Sequence, residues 1–281
     1  MTMRDKNITH KPEKPTWLIS LIVITTFFCV DIFTTRGSRA IINAVVGDWP
    51  GLDRVFAFGV FHWGLPYVLT PIIVTALLFG KSTALDKLGL NRSILKGLGF
   101  AFAVTLPLPL VYAFTTPIAR TGDMLPDLLH YAVFGGTAEE VMYRCFLFGL
   151  LFRTARWGFL PAALLGGIIF GIGHLYQGNN ILESSGVFLI TFVGALWWAW
   201  LYVEWDYNAW VPIGFHVFMN GWFQIFVVSE TALLPIAGEI SRALVVLLSI
   251  GLTLAMTKKR GGRTIKGQLW WKGAYPASSA K

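Results

Sequence analysis

Long apolar runs separated by short polar breaks dominate this chain, with neither the two-residue alternation of strands nor the polar back face of soluble helices. Eight runs approach the roughly 20 residues a bilayer core requires of a helix. They cover about 17–35, 56–80, 94–115, 128–151, 159–175, 186–203, 209–228 and 236–256. The pattern predicts an all-α polytopic membrane protein: one helical bundle over 17–256, a tail at 1–16 and a basic tail at 257–281. The fourth run is the most irregular, holding Gly135-Gly136 and several charges. The fifth is short and glycine-rich, and its Gly167 and Gly171 form a small-xxx-small pair suited to close helix contact. The first run follows Arg4, Lys6, Lys11 and Lys14 and has the outline of a signal peptide, with Ser38-Arg39-Ala40 as a weak cleavage match. It exceeds the roughly 7–15 apolar residues of such peptides and reads as a retained span.

Basic residues give this pattern a direction. Segments on one side of the expected membrane hold seventeen Lys or Arg: Arg4, Lys6, Lys11 and Lys14; Lys81, Lys87, Arg92 and Lys96; Arg153 and Arg156; and seven beyond residue 257. The other side holds four, Arg36, Arg39, Arg54 and Arg120. The positive-inside rule therefore places both termini in the cytoplasm of a multi-pass cell-membrane protein. Arg36 and Arg39 run against this bias. The C-terminal tail reads as a flexible end that touches anionic lipid through Lys258-Lys259-Arg260.

Composition agrees: 55% of residues are hydrophobic and 14% charged, against about 25% charged in soluble domains. The net charge of +8 does not indicate nucleic acid, because the cations sit at span ends rather than in a basic stripe interleaved with aromatics. Cys29 and Cys145 stand in separate apolar runs, with no metal-finger or disulfide spacing. Cys145 reads as a packing residue.

Polar residues inside apolar runs carry the chemistry. An ionisable group at the centre of a span costs about 2.5–3.5 kcal/mol on insertion scales, so such groups mark sites. Glu140 and Arg144 are four apart and share a helix face in the favourable order, which predicts an ion pair. Glu139 points about 100° away. An intramembrane carboxyl without a cation is a candidate general base or acid. His174 closes the fifth run, one turn after Phe170. His216 and Asn220 are four apart in the seventh, two donors on one face that suit a developing oxyanion. Each group also admits a purely structural reading as interhelical packing or hydrogen bonding. Asp31, His62 and Gln224 stand singly and read as interhelical or lumen contacts, and Glu204 and Asp206 as wet loop residues.

Glu139-Glu140-x-x-x-Arg144, Phe170-x-x-x-His174 and His216-x-x-x-Asn220 together resemble the EExxxR, FxxxH and HxxxN motifs of the CPBP family. That family comprises CAAX prenyl proteases and bacteriocin-processing or Abi-type relatives. The likeness covers about 130–225 and extends to 256, giving a core of about 128–256. It implies an intramembrane glutamate-dependent endopeptidase. Glu139 would activate water with help from His174, His216 and Asn220 would stabilise the oxyanion, and Glu140, Arg144 and Phe170 would shape the site. No cofactor is expected. A zinc alternative would use Glu139, His174 and His216 as ligands, but the motifs lack HExxH spacing. Expected partners are the bilayer and a peptide or membrane-protein substrate, not nucleic acid. The competing readings are a non-catalytic scaffold or immunity-type protein, and a proton-coupled transporter. The short chain and the absence of repeated broken helices count against transport.

Overall fold

The computed structural model describes residues 14–47, 51–118, 121–226, 228–229, 232–265 and 267–270. These form an all-α polytopic bundle with no β-strand among the described residues. Arg4, Lys6, Lys11, Arg120, Lys266 and the tail beyond residue 270 lie outside them.

Helix α1 is Thr16–Arg36 and α2 is Ser38–Val46. Helix α3 is Leu52–Phe79, α4 is Lys81–Lys87 and α5 is Ile94–Thr115. Helix α6 runs without a break over residues 121–153. Helix α7 is Phe159–Gly173, followed by a short turn at Leu175–Gln177. Helices α8, α9 and α10 are Ile181–Glu204, Trp210–Ile225 and Ile236–Lys259. Several starts are written in the sequence. Ser93 caps α5 by accepting the Lys96 N–H. Asn180 caps α8 by accepting the Glu183 N–H, while the Glu183 carboxylate accepts the Asn179 N–H.

Among the described residues six helical stretches are long and apolar enough to cross a membrane: α1, α3, α5, α7 with its following turn, α8 and α10. The other two of the eight expected runs, in the helices that carry most of the chemistry, are not among these six. Helix α6 contains Glu139, Glu140 and Arg144, and α9 has only 16 residues. Both are interior helices. Residues 140–152 are buried on every side, as are Val211–His216. The outer helices bury one stripe and turn apolar side chains outward. Helix α1 buries Ile19, Val23, Phe27, Val30 and Thr34 while Leu21, Phe28 and Ile32 are exposed. An apolar outer surface around a polar-containing centre is the arrangement a lipid solvent demands.

Packing fixes the neighbours. Helices α7 and α8 approach where Gly167 and Gly171 lie: a Cβ at Gly171 would stand 2.8 Å from the Phe188 ring and one at Gly167 3.1 Å from Phe192. The small-xxx-small reading of the fifth run therefore holds. Three stretches wind with wider, i→i+5 turns: Gly59–Leu69 in α3, and Leu128–Gly135 and Glu140–Phe148 in α6. Such turns are uncommon and concentrate at functional sites; here the last begins at Glu140.

The basic loops gather at one end. Arg153 donates to the carbonyls of Asp86 and Lys87, the Tyr202 hydroxyl to that of Leu88, and the Asn208 amide to that of Ser93. Two expectations change there. Glu204 is not a wet loop residue: it is fully buried, and its carboxylate accepts the N–H groups of Thr264 and Ile265. The start of the C-terminal tail is not a free end. The Arg260 guanidinium donates to the Glu204 carbonyl, and the carbonyls of Gln268 and Leu269 accept the N–H groups of Phe159 and Leu160. A buried carboxylate at a helix end captures the backbone that follows α10, because an unpaired buried carboxylate is expensive.

Candidate active site

Helix α6 supplies Glu139, Glu140 and Arg144, and α9 crosses it. The two helices meet at Gly136, where a Cβ would stand 3.4 Å from the His216 ring and the Val217 nitrogen, an ordinary contact distance. This crossing sets His216 against both glutamates.

The predicted ion pair forms. Arg144 Nη1 lies 3.1 Å from Glu140 Oε1, both side chains almost fully buried. The same oxygen accepts a 2.7 Å hydrogen bond from His216 Nδ1. Glu140 is therefore more than the partner of Arg144: it holds His216 in one ring orientation from 76 residues away in sequence. With Nδ1–H given to Glu140, Nε2 is the working nitrogen. It faces Glu139, with 3.8 Å between Nε2 and Oε2. That exceeds hydrogen-bond reach, and the Glu139 side chain keeps 19% exposure. Glu139 has no cation at salt-bridge distance apart from this histidine among the described residues, as its helical offset from Arg144 predicts.

Phe170 binds the third motif to this centre. Its ring covers the Arg144 guanidinium at 4.3 Å, with Trp198 at 5.2 Å. Two aromatic faces on a desolvated cation are worth up to about 2 kcal/mol. The Phe170 carbonyl accepts His174 Nδ1–H at 2.7 Å, and the two rings lie 4.3 Å apart. A carbonyl can only accept, so His174 also carries its proton on Nδ1 and presents Nε2 as the free nitrogen. The Phe170 and His216 rings are 6.3 Å apart.

His174, His216 and Asn220 line one cavity of about 830 Å³ with Phe170 and Trp198. Asn220 donates one amide N–H to the Tyr131 carbonyl at 3.1 Å, which leaves its second N–H for another acceptor. Glu139 is not part of the cavity wall and reaches the site through His216. The structure thus joins all seven predicted residues in two linked groups. Glu139, Glu140, Arg144 and His216 form a charged cluster, and Phe170, His174, His216 and Asn220 border the cavity. His216 belongs to both.

Sequence reasoning did not single out Trp198, whose ring lies 4.8 Å from His216, or the Tyr131 carbonyl. Neither carries a motif; both are set by packing. The isolated polar residues find the interhelical partners expected of them. Tyr67 O–H donates to Asp31 at 3.2 Å, His62 Nδ1 lies 2.7 Å from the Ser38 hydroxyl, and Gln224 lines the cavity. Cys145 is fully buried in packing. For the zinc alternative, no group of three or more His, Cys, Asp or Glu is arranged to hold a metal ion among the described residues. His174 and His216 each commit one nitrogen to the protein, to a carbonyl and to Glu140.

Residues 121–222 match the model of one family, described as type II CAAX prenyl endopeptidase Rce1-like. This is the family type that the three motifs resemble, and the match spans α6 to α9. No curated protein and no solved structure matches the chain.

Proposed function

On the premise that this chain carries an Rce1-like CAAX prenyl endopeptidase domain over residues 121–222, we propose that it is an intramembrane glutamate-dependent endopeptidase. One observation carries the reading: the charged cluster and the cavity meet at His216, whose Nε2 faces Glu139 and whose Nδ1 is held by Glu140.

In this reading the attacking water sits at the cavity wall beside His216, where Glu139, set just behind that wall, takes its proton as it adds to the scissile carbonyl, with His174 Nε2 assisting from the cavity side. His216 Nε2 and the second Asn220 N–H stabilise the oxyanion of the tetrahedral intermediate. With Nδ1–H committed to Glu140, the oxyanion role requires a second N–H at Nε2, on the side of the ring that faces Glu139. Glu139 then returns its proton to the leaving amine as the C–N bond breaks. Glu140, Arg144 and Phe170 fix the two histidines; Glu140 and Arg144 lie behind the cavity wall, and Phe170 forms part of it. No step requires a metal.

The bundle over 17–256 is one membrane domain with its basic end and both termini in the cytoplasm of a cell-membrane protein. The substrate is a membrane-associated or prenylated-type peptide. The deciding experiment compares Glu139→Ala, Glu139→Gln and His216→Ala at matched membrane abundance, following cleavage of candidate membrane and prenylated peptides. Loss of a general base lowers turnover by about 10²–10⁴-fold. Wild-type cleavage by the Glu139 and His216 variants would sink the assignment. A non-catalytic scaffold tolerates Glu139→Gln, which keeps shape and hydrogen bonding. A preparation that still cleaves after chelator treatment counts against the zinc alternative.

A further inference from the structure

The two ends of the bundle differ in charge and in access. At the basic end the loops are tied together and closed. Beside the bonds of Arg153, Tyr202 and Asn208, Ala209 N–H donates to the Gly89 carbonyl and Trp157 donates to Ser20. Helices α8 and α10 are pinned near this end by Trp197 Nε1 to Ser249 at 3.0 Å and Trp205 Nε1 to Thr253 at 3.1 Å. The Phe100 and Trp205 rings lie 4.3 Å apart beside them.

The cavity lies wholly above this floor. On α9, which starts at the basic end with Trp210, the first lining residue is His216, about 9 Å along the axis, and the last is Gln224. On α8, which runs the other way, lining begins at Gly186 and stops at Trp198, again about 9 Å short of the basic end at Glu204. On α10 it involves Arg242 and Val246 but nothing in the half nearer Lys259. Tyr176 and Gln177, in the turn after α7, also border the cavity, and Tyr176 is 81% exposed. Leu189 and Val193, on the lining stretch of α8, are 59% and 58% exposed. The cavity therefore opens at the end away from the basic loops and toward lipid beside α8.

We infer that substrate reaches His216 and Asn220 from the membrane face opposite the basic loops, so that this endopeptidase acts on extracytoplasmic peptide segments. The inference rests on the proposed site and narrows its substrate. Reaching the site from the basic end would require dismantling the Trp–Ser and Trp–Thr bonds and the buried Glu140–Arg144 pair. From the open end, Gln224 stands about 12 Å above His216. An extended chain advances about 3.3 Å per residue, so the scissile bond lies about four residues inside the mouth. The substrate segment must be extended over that length and apolar enough for a wall in which aliphatic and aromatic side chains outnumber the polar ones.

Cysteine accessibility tests this without any need for turnover, so it stands or falls separately from the protease assignment. In the full chain with Cys29→Ser and Cys145→Ala, single cysteines are introduced as Tyr176→Cys at the mouth, Met219→Cys in the cavity wall and Lys259→Cys at the basic end. Each is treated with a membrane-impermeant maleimide in intact spheroplasts and in inverted vesicles. Tyr176→Cys and Met219→Cys are expected to react in spheroplasts, and Lys259→Cys only in inverted vesicles. Labelling of Met219→Cys only in inverted vesicles overturns the inference, as does a Met219→Cys that reacts from neither side while Tyr176→Cys does. Lys259→Cys reacting in spheroplasts overturns it too, because the basic end then faces outward.

Discussion

Removing the Glu140 carboxylate should damage the fold before it damages the chemistry. Glu140 is fully buried and Arg144 is 2% exposed. One oxygen, Oε1, serves both Arg144 Nη1 at 3.1 Å and His216 Nδ1 at 2.7 Å. In Glu140→Ala the guanidinium keeps the Phe170 and Trp198 rings but loses its counter-charge. Those rings contribute equally before and after, so they offset nothing. An orphaned buried charge costs about 3–5 kcal/mol, about two or more powers of ten in the folded-to-unfolded ratio. Arg144→Met orphans the carboxylate and should cost a similar amount. Glu140→Ala combined with Arg144→Met removes both charges together, and the pair should recover about 2 kcal/mol of the summed single losses, within the range seen for contacting residues. Reversible denaturant titration in detergent micelles gives all four corners of the cycle. A Glu140→Ala variant within about 1 kcal/mol of the parent, or strict additivity in the double variant, would refute the view that this pair is a tightly coupled, dry unit.

Other consequences can be checked independently. Asn220→Ala should lower turnover by about 10²–10³-fold if its second N–H serves the oxyanion, with thermal stability little changed; steady-state cleavage beside a melting curve separates the two. Gly136→Ala places a Cβ at ordinary contact distance from His216 and should leave the fold intact or gain up to about 1 kcal/mol of helix propensity. Gly136→Leu should instead displace His216, cost about 1–3 kcal/mol and abolish cleavage; denaturant midpoints and cleavage assays of the pair test the opposed signs. Glu204→Ala removes the acceptor of the Thr264 and Ile265 N–H groups, so brief trypsin treatment of inverted vesicles should cut after Arg260 or Arg263 faster than in the parent.

Much of this was legible in the linear chain because bilayer physics is severe. Any segment that crosses must be helical and apolar, so the α1, α3, α5, α8 and α10 runs announce themselves. A charged residue among them is costly enough to mark a site. The Glu140–Arg144 pair and the offset of Glu139 from it follow from helical spacing alone. The same rules misjudged Glu204, which looks like a loop acid because it ends a helix beside Asp206. Whether a helix end is wet depends on what returns to cover it, and residues 260–270 return from far along the chain. That α6 and α9 are the interior helices was not legible either, since hydropathy does not distinguish an apolar side chain that meets lipid from one that meets protein.

By itself the sequence determined an all-α membrane bundle, a basic end, and three motifs carrying seven candidate site residues, because those properties depend on composition and on spacing within single helices. Only the tertiary structure decided that Glu140 orients His216, that Phe170 serves Arg144 through its ring and His174 through its carbonyl, and that the cavity opens away from the basic loops. Those relations join helices whose contacts are set by packing at Gly136, Gly167 and Gly171. The angle and depth of a helix crossing are properties of two surfaces meeting, which no single stretch of chain contains.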